Sequence, residues 1–220
     1  MIDRRDNAVR ASYDVVAEEY ARRIFGELAD KPLDRQLLDR FAGRANALGP
    51  VCDLGCGPGH VARYLRERGT DIIGIDLSDE MASLARQLNP AIEFRQGDMR
   101  SLCAEDRTWG SIIAFYSLIH IPRDEVANVL TEIRRVLRPG GLLLLALHIG
   151  DDSLHLDEWW GREASIDFHF FRPEEMTNLL RSAGFWVEEI IERDPYPDVE
   201  HPSRRVYIFA QKPNEEAESS

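Results

Sequence analysis

Short apolar runs rich in β-branched residues alternate along the chain with stretches of helical period, the pattern of βαβ units that build a mostly parallel sheet. The runs predict seven strands, over Val51–Leu54, Asp71–Asp76, Ile92–Gln96, Ser111–Tyr116, Leu142–His148, Phe185–Glu192 and Arg205–Gln211. Helices are expected between the first five, over Gly59–Arg68, Asp79–Leu88 and Asp124–Leu137. Ser78, with Met81 three residues on, offers an N-cap, and Gly69 and Pro139-Gly140-Gly141 supply C-terminal breaks. Two further helical stretches, Ala8–Phe25 and Leu33–Ala47, precede the first strand, and Arg172-Pro173-Glu174-Glu175 starts another helix. Only about a dozen residues, Arg193–Arg204 with three prolines, join the last two strands. That is too short for a parallel crossover, so these strands should form an antiparallel hairpin.

The fold class expected is therefore α/β: one doubly wound, seven-stranded, mostly parallel sheet with an antiparallel C-terminal hairpin and helices on both faces. A length of 220 residues suits a single domain. Within 1–212 the expected parts are N-terminal cap helices (1–48), a ligand-binding core (50–147), an insertion or lid (148–172) and a C-terminal helix with the hairpin (173–212). The polar stretch 213–220 reads as a frayed tail.

Charge narrows the partners. With 27 Lys+Arg against 39 Asp+Glu the net charge is -12, which opposes attraction to phosphate backbones and anionic lipid, so neither nucleic acid nor membrane is an expected partner. The longest apolar run, Leu142–Leu147, is strand length, and Met1–Arg10 is charged and lacks the apolar stretch of a signal peptide. Three cysteines, Cys52, Cys56 and Cys103, make no paired framework, so a cytoplasmic location is expected. No second Cys/His pair follows Cys52 and Cys56 at zinc-site spacing, so no metal is expected.

The first strand runs straight into Gly55-Cys56-Gly57-Pro58-Gly59-His60, where a helical pattern begins. Glycines let a backbone turn sharply and approach a ligand closely, and a helix start offers unpaired N–H groups. Asp76 closes the second strand about 20 residues later, where a carboxylate can accept from both hydroxyls of a ribose. The third strand ends in Gln96-Gly97-Asp98-Met99, where Asp98 can receive the amino group of an adenine and the Met99 N–H can donate to a ring nitrogen. A nicotinamide-dependent dehydrogenase shares the glycine turn and Asp76, but does not require this third acidic element.

Taken in order, Asp53-Leu54-Gly55-Cys56-Gly57-Pro58-Gly59, Gly74-Ile75-Asp76-Leu77-Ser78, Gly97-Asp98-Met99 and Leu137-Arg138-Pro139-Gly140-Gly141 resemble the motifs of class I S-adenosylmethionine-dependent methyltransferases, over residues 50–147. The resemblance implies a seven-stranded sheet with a reversed final strand, and S-adenosylmethionine as cofactor with S-adenosylhomocysteine as product. It implies cofactor contacts at Asp53, Gly55, Cys56, Gly57, Asp76, Leu77, Asp98 and Met99, and contacts to the methionine part near Phe115 and Tyr116. The segment Ala11-Ser12-Tyr13-Asp14, with Ala17 and Tyr20, resembles the N-terminal helix of small-molecule members, in which a tyrosine closes over the cofactor; Tyr20 is the first choice, Tyr13 the second. Packing of both rings into the core is the competing reading.

Methyl transfer from a sulfonium is an in-line displacement that needs positioning of the acceptor and exclusion of water, and a base only where the acceptor must lose a proton. His120 and His148, just beyond the fourth strand and at the end of the fifth, are the candidate bases. Trp159 and Trp160, together with Tyr13, are candidates to cover the acceptor. Asp151, Asp152, His155, Asp157 and Glu158 allow a metal reading, but their spacing matches no ligand motif. Two alternatives stand beside transfer to a small-molecule acceptor: the nicotinamide dehydrogenase, and a non-catalytic S-adenosylmethionine-binding protein.

Overall fold

The computed structural model describes residues 4–214, so the tail beyond Asn214 lies outside the described residues. The strands are β1 (Val51–Leu54), β2 (Ile72–Asp76), β3 (Glu93–Gln96), β4 (Trp109–Phe115), β5 (Leu137–His148), β6 (Ser153–Trp159), β7 (Arg162–His169), β8 (Trp186–Arg193) and β9 (Arg205–Gln211). Seven of them form one sheet in the order β3-β2-β1-β4-β5-β9-β8. Neighbours from β3 through β5 pair in parallel, and β9 runs antiparallel to both β5 and β8. The expected fold class holds, with the short, proline-rich Arg193–Arg204 link turning the chain back on itself.

The α-helices are α1 (Arg4–Ile24), α2 (Pro32–Ala45), α3 (His60–Arg66), α4 (Asp79–Leu88), α5 (Val126–Val136) and α6 (Pro173–Ser182). Alternation along the strands divides the apolar residues between two layers. Ile112, Leu143 and Leu145 face a core shared with Val129, Leu130 and Ile133 of α5 and Met176 and Leu180 of α6. Ile113, Leu142 and Leu144 face a second core with Leu38 and Phe41 of α2 and Val61 and Leu65 of α3. Ser78 caps α4 as expected, its Oγ accepting from the Met81 N–H at 3.0 Å.

Strand order reverses between β1 and β4, which are hydrogen-bonded neighbours. Their following connections leave toward opposite sides, and the crevice this opens at the C-terminal ends of the strands is where sheets of this kind bind ligands.

The insertion is more ordered than a lid of irregular chain. Residues 153–169 form a separate antiparallel hairpin, β6 with β7, turned through Trp160 and Gly161 at φ 52° and 76°. Positive φ at both central residues matches the twist of a two-residue hairpin. The alternation of Leu154 with Leu156, and of Ala164, Ile166 and Phe168, is visible in the sequence, but it belongs to no strand of the main sheet. At the other boundary α5 ends at Val136, just before Pro139-Gly140-Gly141, and β5 follows without a gap and takes in those residues, starting at Leu137 and not at Leu142. Among the described residues no helix is long and apolar enough to cross a membrane.

Candidate active site

A cavity of about 810 Å³ lies at the C-terminal ends of β1, β2, β3 and β4. Gly55, Cys56, Gly57, Asp76, Leu77, Asp98, Met99, Phe115 and Tyr116 all line it, with Tyr13, Tyr20 and His120. Of the residues singled out in the sequence for cofactor contact, only Asp53 stays away. It is 1% exposed, and its Oδ2 has no hydrogen-bond partner among the described residues. Burial, with the neighbouring Asp76 charge, pushes its carboxyl up to about 8 despite a hydrogen bond from the backbone of Ala62. Alternation along β1 turns Asp53 to the sheet face that carries α3, where its carboxyl group accepts from the Ala62 backbone and does not line the cavity.

The glycine turn is held tightly. Gly55 sits at φ 74°, and a Cβ there would lie 2.2 Å from Cβ of Ser117, whose hydroxyl donates to the Leu54 carbonyl at 2.6 Å. Asp76 braces the same turn: its carboxylate accepts from the Gly57 N–H at 2.7 Å and from the Ser78 N–H at 2.9 Å. Burial nevertheless raises its pKa to about 6, the two backbone donors opposing the shift. Asp98 is gripped by Arg100, with Nη2 to Oδ2 at 2.8 Å and Nε to Oδ1 at 3.0 Å. Arg100 also lines the cavity and pairs with Glu125 at 3.0 Å.

Tyr116, just past β4, has φ 56°, a left-handed conformation that costs a non-glycine residue on the order of 1 kcal/mol or more. The turn aims its ring away from the strand, and its hydroxyl meets that of Tyr207 at 2.8 Å.

A second cavity adjoins the first, and Tyr13, Tyr20 and Tyr116 line both. Trp159, Trp160, Phe168 and His148 line the second only. Trp159 packs edge-on against Tyr13 at 5.3 Å and Tyr20 at 5.7 Å between ring centroids, so the hairpin and α1 close over the sheet edge together. A hydrogen bond from the Ser165 N–H to the Ser12 hydroxyl, 2.9 Å, joins β7 to α1.

The two candidate histidines occupy different rooms. His120 lines the first cavity: its Nδ1 is 2.9 Å from the Asp167 carbonyl and its Nε2 is 2.7 Å from the Tyr13 hydroxyl. Burial lowers its pKa to about 4, so the ring is neutral near pH 7. His148 faces the second cavity, stacked on Phe170 at 5.4 Å with Nδ1 2.7 Å from the Ser203 hydroxyl. Burial, reinforced by Arg205, drives its pKa far below the usual histidine value. His155 instead bonds Asp167 and Asp157 in an exposed position on the hairpin.

Sequence patterns missed the floor of the second cavity. Lys31 and Arg205, both nearly fully buried, share Glu200 at 3.4 and 3.5 Å, and Lys31 also pairs with Glu27 at 2.7 Å. These residues come from the α1–α2 connection, from the link between β8 and β9 and from the start of β9, and no spacing along the chain joins them.

A family model described as a methyltransferase domain matches residues 20–190, and the chain belongs to that family, of the S-adenosylmethionine-dependent class. The chain is 27% identical over 203 residues to a ubiquinone biosynthesis O-methyltransferase of Pseudomonas aeruginosa, covering 84% of this chain and 86% of that one. It is 35% identical over 114 residues to a malonyl-[acyl-carrier protein] O-methyltransferase of Pectobacterium atrosepticum, covering 51% of this chain and 44% of that one. The chain thus spans less than half the length of that relative. Among solved structures, the DhpI complex with S-adenosylhomocysteine superposes with a TM-score of 0.73 at 25% identity, covering 94% of this chain and 97% of that one.

Proposed function

We propose that the protein, one methyltransferase domain over residues 1–212, transfers a methyl group from S-adenosylmethionine to a small-molecule acceptor and releases S-adenosylhomocysteine. The observation that carries this reading is the pair of adjoining cavities with Tyr13, Tyr20 and Tyr116 as their common wall. The first has the donor set for an adenosyl ligand: acidic groups at the ends of β2 and β3 and a glycine turn at the end of β1. The second has the aromatic cover suited to a small organic molecule.

When bound, S-adenosylmethionine supplies an electrophilic methyl group on a sulfonium. Asp76 holds the ribose hydroxyls; Asp98 and the Met99 N–H take the adenine; Leu77, Gly55, Cys56, Gly57 and Phe115 form the walls. Tyr20 and Tyr116 stand where the methyl group must pass between the cavities. Trp159 and Trp160 cover the acceptor and exclude water.

His120 is the better placed base. Its Nδ1–H donates to the Asp167 carbonyl, which leaves the Nε2 lone pair directed at Tyr13, a residue of both cavities. His148 opens only on the second cavity and serves as acceptor contact. Both relatives are O-methyltransferases, which supports an oxygen acceptor. The net charge of -12 favours a small molecule over nucleic acid.

The test is incubation of a metabolite extract with the protein and isotopically labelled S-adenosylmethionine, followed by mass spectrometry for a labelled methyl gain on a small molecule. Cofactor binding without any labelled product or S-adenosylhomocysteine would make this a non-catalytic binder; label on RNA or DNA would overturn the small-molecule acceptor.

A further inference from the structure

Three cations converge on one carboxylate at the floor of the second cavity. Glu200 pairs with both terminal nitrogens of Arg193 and accepts from the Tyr196 N–H at 2.8 Å, with Lys31 Nζ at 3.4 Å and Arg205 Nη2 at 3.5 Å. Burial opposes its ionisation, but Arg193, the Tyr196 N–H, Arg205 and Lys31 bring its pKa down to about 2. A carboxylate offers about four lone-pair sites, so Glu200 has none to spare.

Two of the cations still have donors to place. Arg205 is 2% exposed; its Nη1 donates to the Ser203 hydroxyl at 2.6 Å and its Nη2 to the His201 carbonyl at 3.0 Å. Its Nε is buried and has no hydrogen-bond partner among the described residues. Lys31 divides its three N–H bonds between two carboxylates, Glu27 and Glu200, which leaves one hydrogen over among the described residues. Both side chains line the second cavity beside Tyr116, whose ring centroid is 5.8 Å from Lys31 Nζ and 5.7 Å from Arg205 Cζ. The charge is felt there: burial and then Arg205 lower the pKa of both His148 and His201, so neither ring is a cation near pH 7. The other charged lining residues, Arg23 and Asp198, are exposed and of opposite sign. A buried donor left unpaired in a cavity wall is costly unless a ligand completes it.

We propose that the methyl acceptor carries an anionic oxygen group, a carboxylate or a related oxo acid, which docks on Arg205 and Lys31 while its apolar body lies against Tyr20, Trp159 and Trp160. This rests on the reading of the second cavity as the acceptor's. An acid group completes the open donors with charge-assisted bonds, whereas a cationic group would meet two like charges at close range. A neutral group could accept a hydrogen bond but would gain less from the charges.

The experiment measures binding of benzoate and phenylacetate to the full chain by NMR titration, with S-adenosylhomocysteine present, each against its neutral amide. The acids should bind about tenfold or more tighter than the amides. Saturation with acid should also raise the pH at which His201 titrates, because a bound anion offsets Arg205. Arg205→Gln and Lys31→Met should each remove the preference for acid and leave amide affinity as in the wild type, which also certifies their fold. Should a variant not fold, the acid-to-amide ratio and the His201 midpoint of the wild type decide by themselves. No acid binding better than its amide, none binding at all included, would overturn the anion site and leave a structural ion cluster only. An unmoved His201 midpoint, or undiminished acid binding in both folded variants, would overturn it as well. In the extract treated with labelled S-adenosylmethionine, label confined to neutral or cationic compounds has the same consequence. Acids that bind as expected, with no compound in the extract labelled, would support the anion site and instead sink the methyl-transfer reading.

Discussion

The Tyr13 hydroxyl lies 2.7 Å from Nε2 of His120, a residue 107 positions further along the chain. The backbone carbonyl of Asp167, 2.9 Å from the other ring nitrogen, fixes which of the two carries the hydrogen. Three separate elements, α1, the turn after β4 and the hairpin strand β7, thus meet at one imidazole. Oriented in this way, the neutral ring accepts a hydrogen bond from the Tyr13 hydroxyl at Nε2, its one lone pair.

The ring should remain neutral, protonated on Nδ1, from pH 8 down to about 5, and titrate near 4, because burial disfavours the imidazolium. Long-range ¹⁵N–¹H correlation spectra report tautomer and midpoint directly; a midpoint near 6.5 would contradict the buried, neutral state. Once an acceptor is in hand, His120→Ala should lower kcat by roughly 10² to 10⁴ with cofactor affinity unchanged. His148→Ala should act chiefly on the acceptor's KM.

Asp76 should bind the ribose as a carboxylate. Its pKa in the free protein is about 6, raised chiefly by burial, so cofactor affinity should decline as pH falls through 6. Asp76→Ala should weaken S-adenosylmethionine by about 2 to 4 kcal/mol and remove that pH dependence, as read by titration at pH 5.5 and 7.5. Wild-type affinity in a folded variant would exclude the ribose role.

Asp53 is predicted to cost stability as pH rises. Its folded pKa of about 8 lies above the unfolded carboxylate value, so the native state holds a proton that the unfolded chain has released. Stability should therefore fall between about pH 4 and pH 8, on the order of 1 kcal/mol per pH unit from this residue. Asp53→Asn cannot titrate, so its melting temperature relative to wild type should climb across that window. A difference independent of pH would show that Asp53 is ionised in the folded protein.

Two glycines with similar positive φ should respond differently to alanine. At Gly55 the new Cβ would collide with Ser117 at 2.2 Å, whereas at Gly161, on the hairpin tip, nothing lies within 4 Å. Gly161→Ala should cost only the backbone term, about 1 to 2 kcal/mol. Gly55→Ala should cost more and abolish cofactor binding, since the loop or Ser117 must move. Thermal denaturation and titration of the two variants check this, and equal effects would refute the close packing at Gly55.

Much of the molecule can be read along the chain because its causes are local. Strand length, β-branching and helical period place β1 to β5 and their helices, and the Arg193–Arg204 link is too short for anything but an antiparallel return. The glycine turn and Asp76 are legible for the same reason: each sits at a strand end, and strand ends of a parallel sheet share one edge. Asp53 is the instructive exception. It belongs to the same motif, yet alternation along β1 turns it to the face covered by α3, where it accepts from the Ala62 backbone.

Where the answer depended on distant segments meeting, the sequence by itself could name candidates but not relate them. Tyr13, His120 and Asp167 lie on three elements, and only the docking of the β6–β7 hairpin on α1 assembles them and selects the histidine tautomer. His60 and Glu27, 33 residues apart, become a pair only when the α1–α2 connection folds over the glycine turn. Periodicity and turn chemistry act over a few residues and so determined the sheet and the edge that binds. Desolvation and hydrogen-bond direction depend on everything packed around a group, and only the tertiary structure decided which side chains at that edge are charged, which are neutral, and which have a bond left to make.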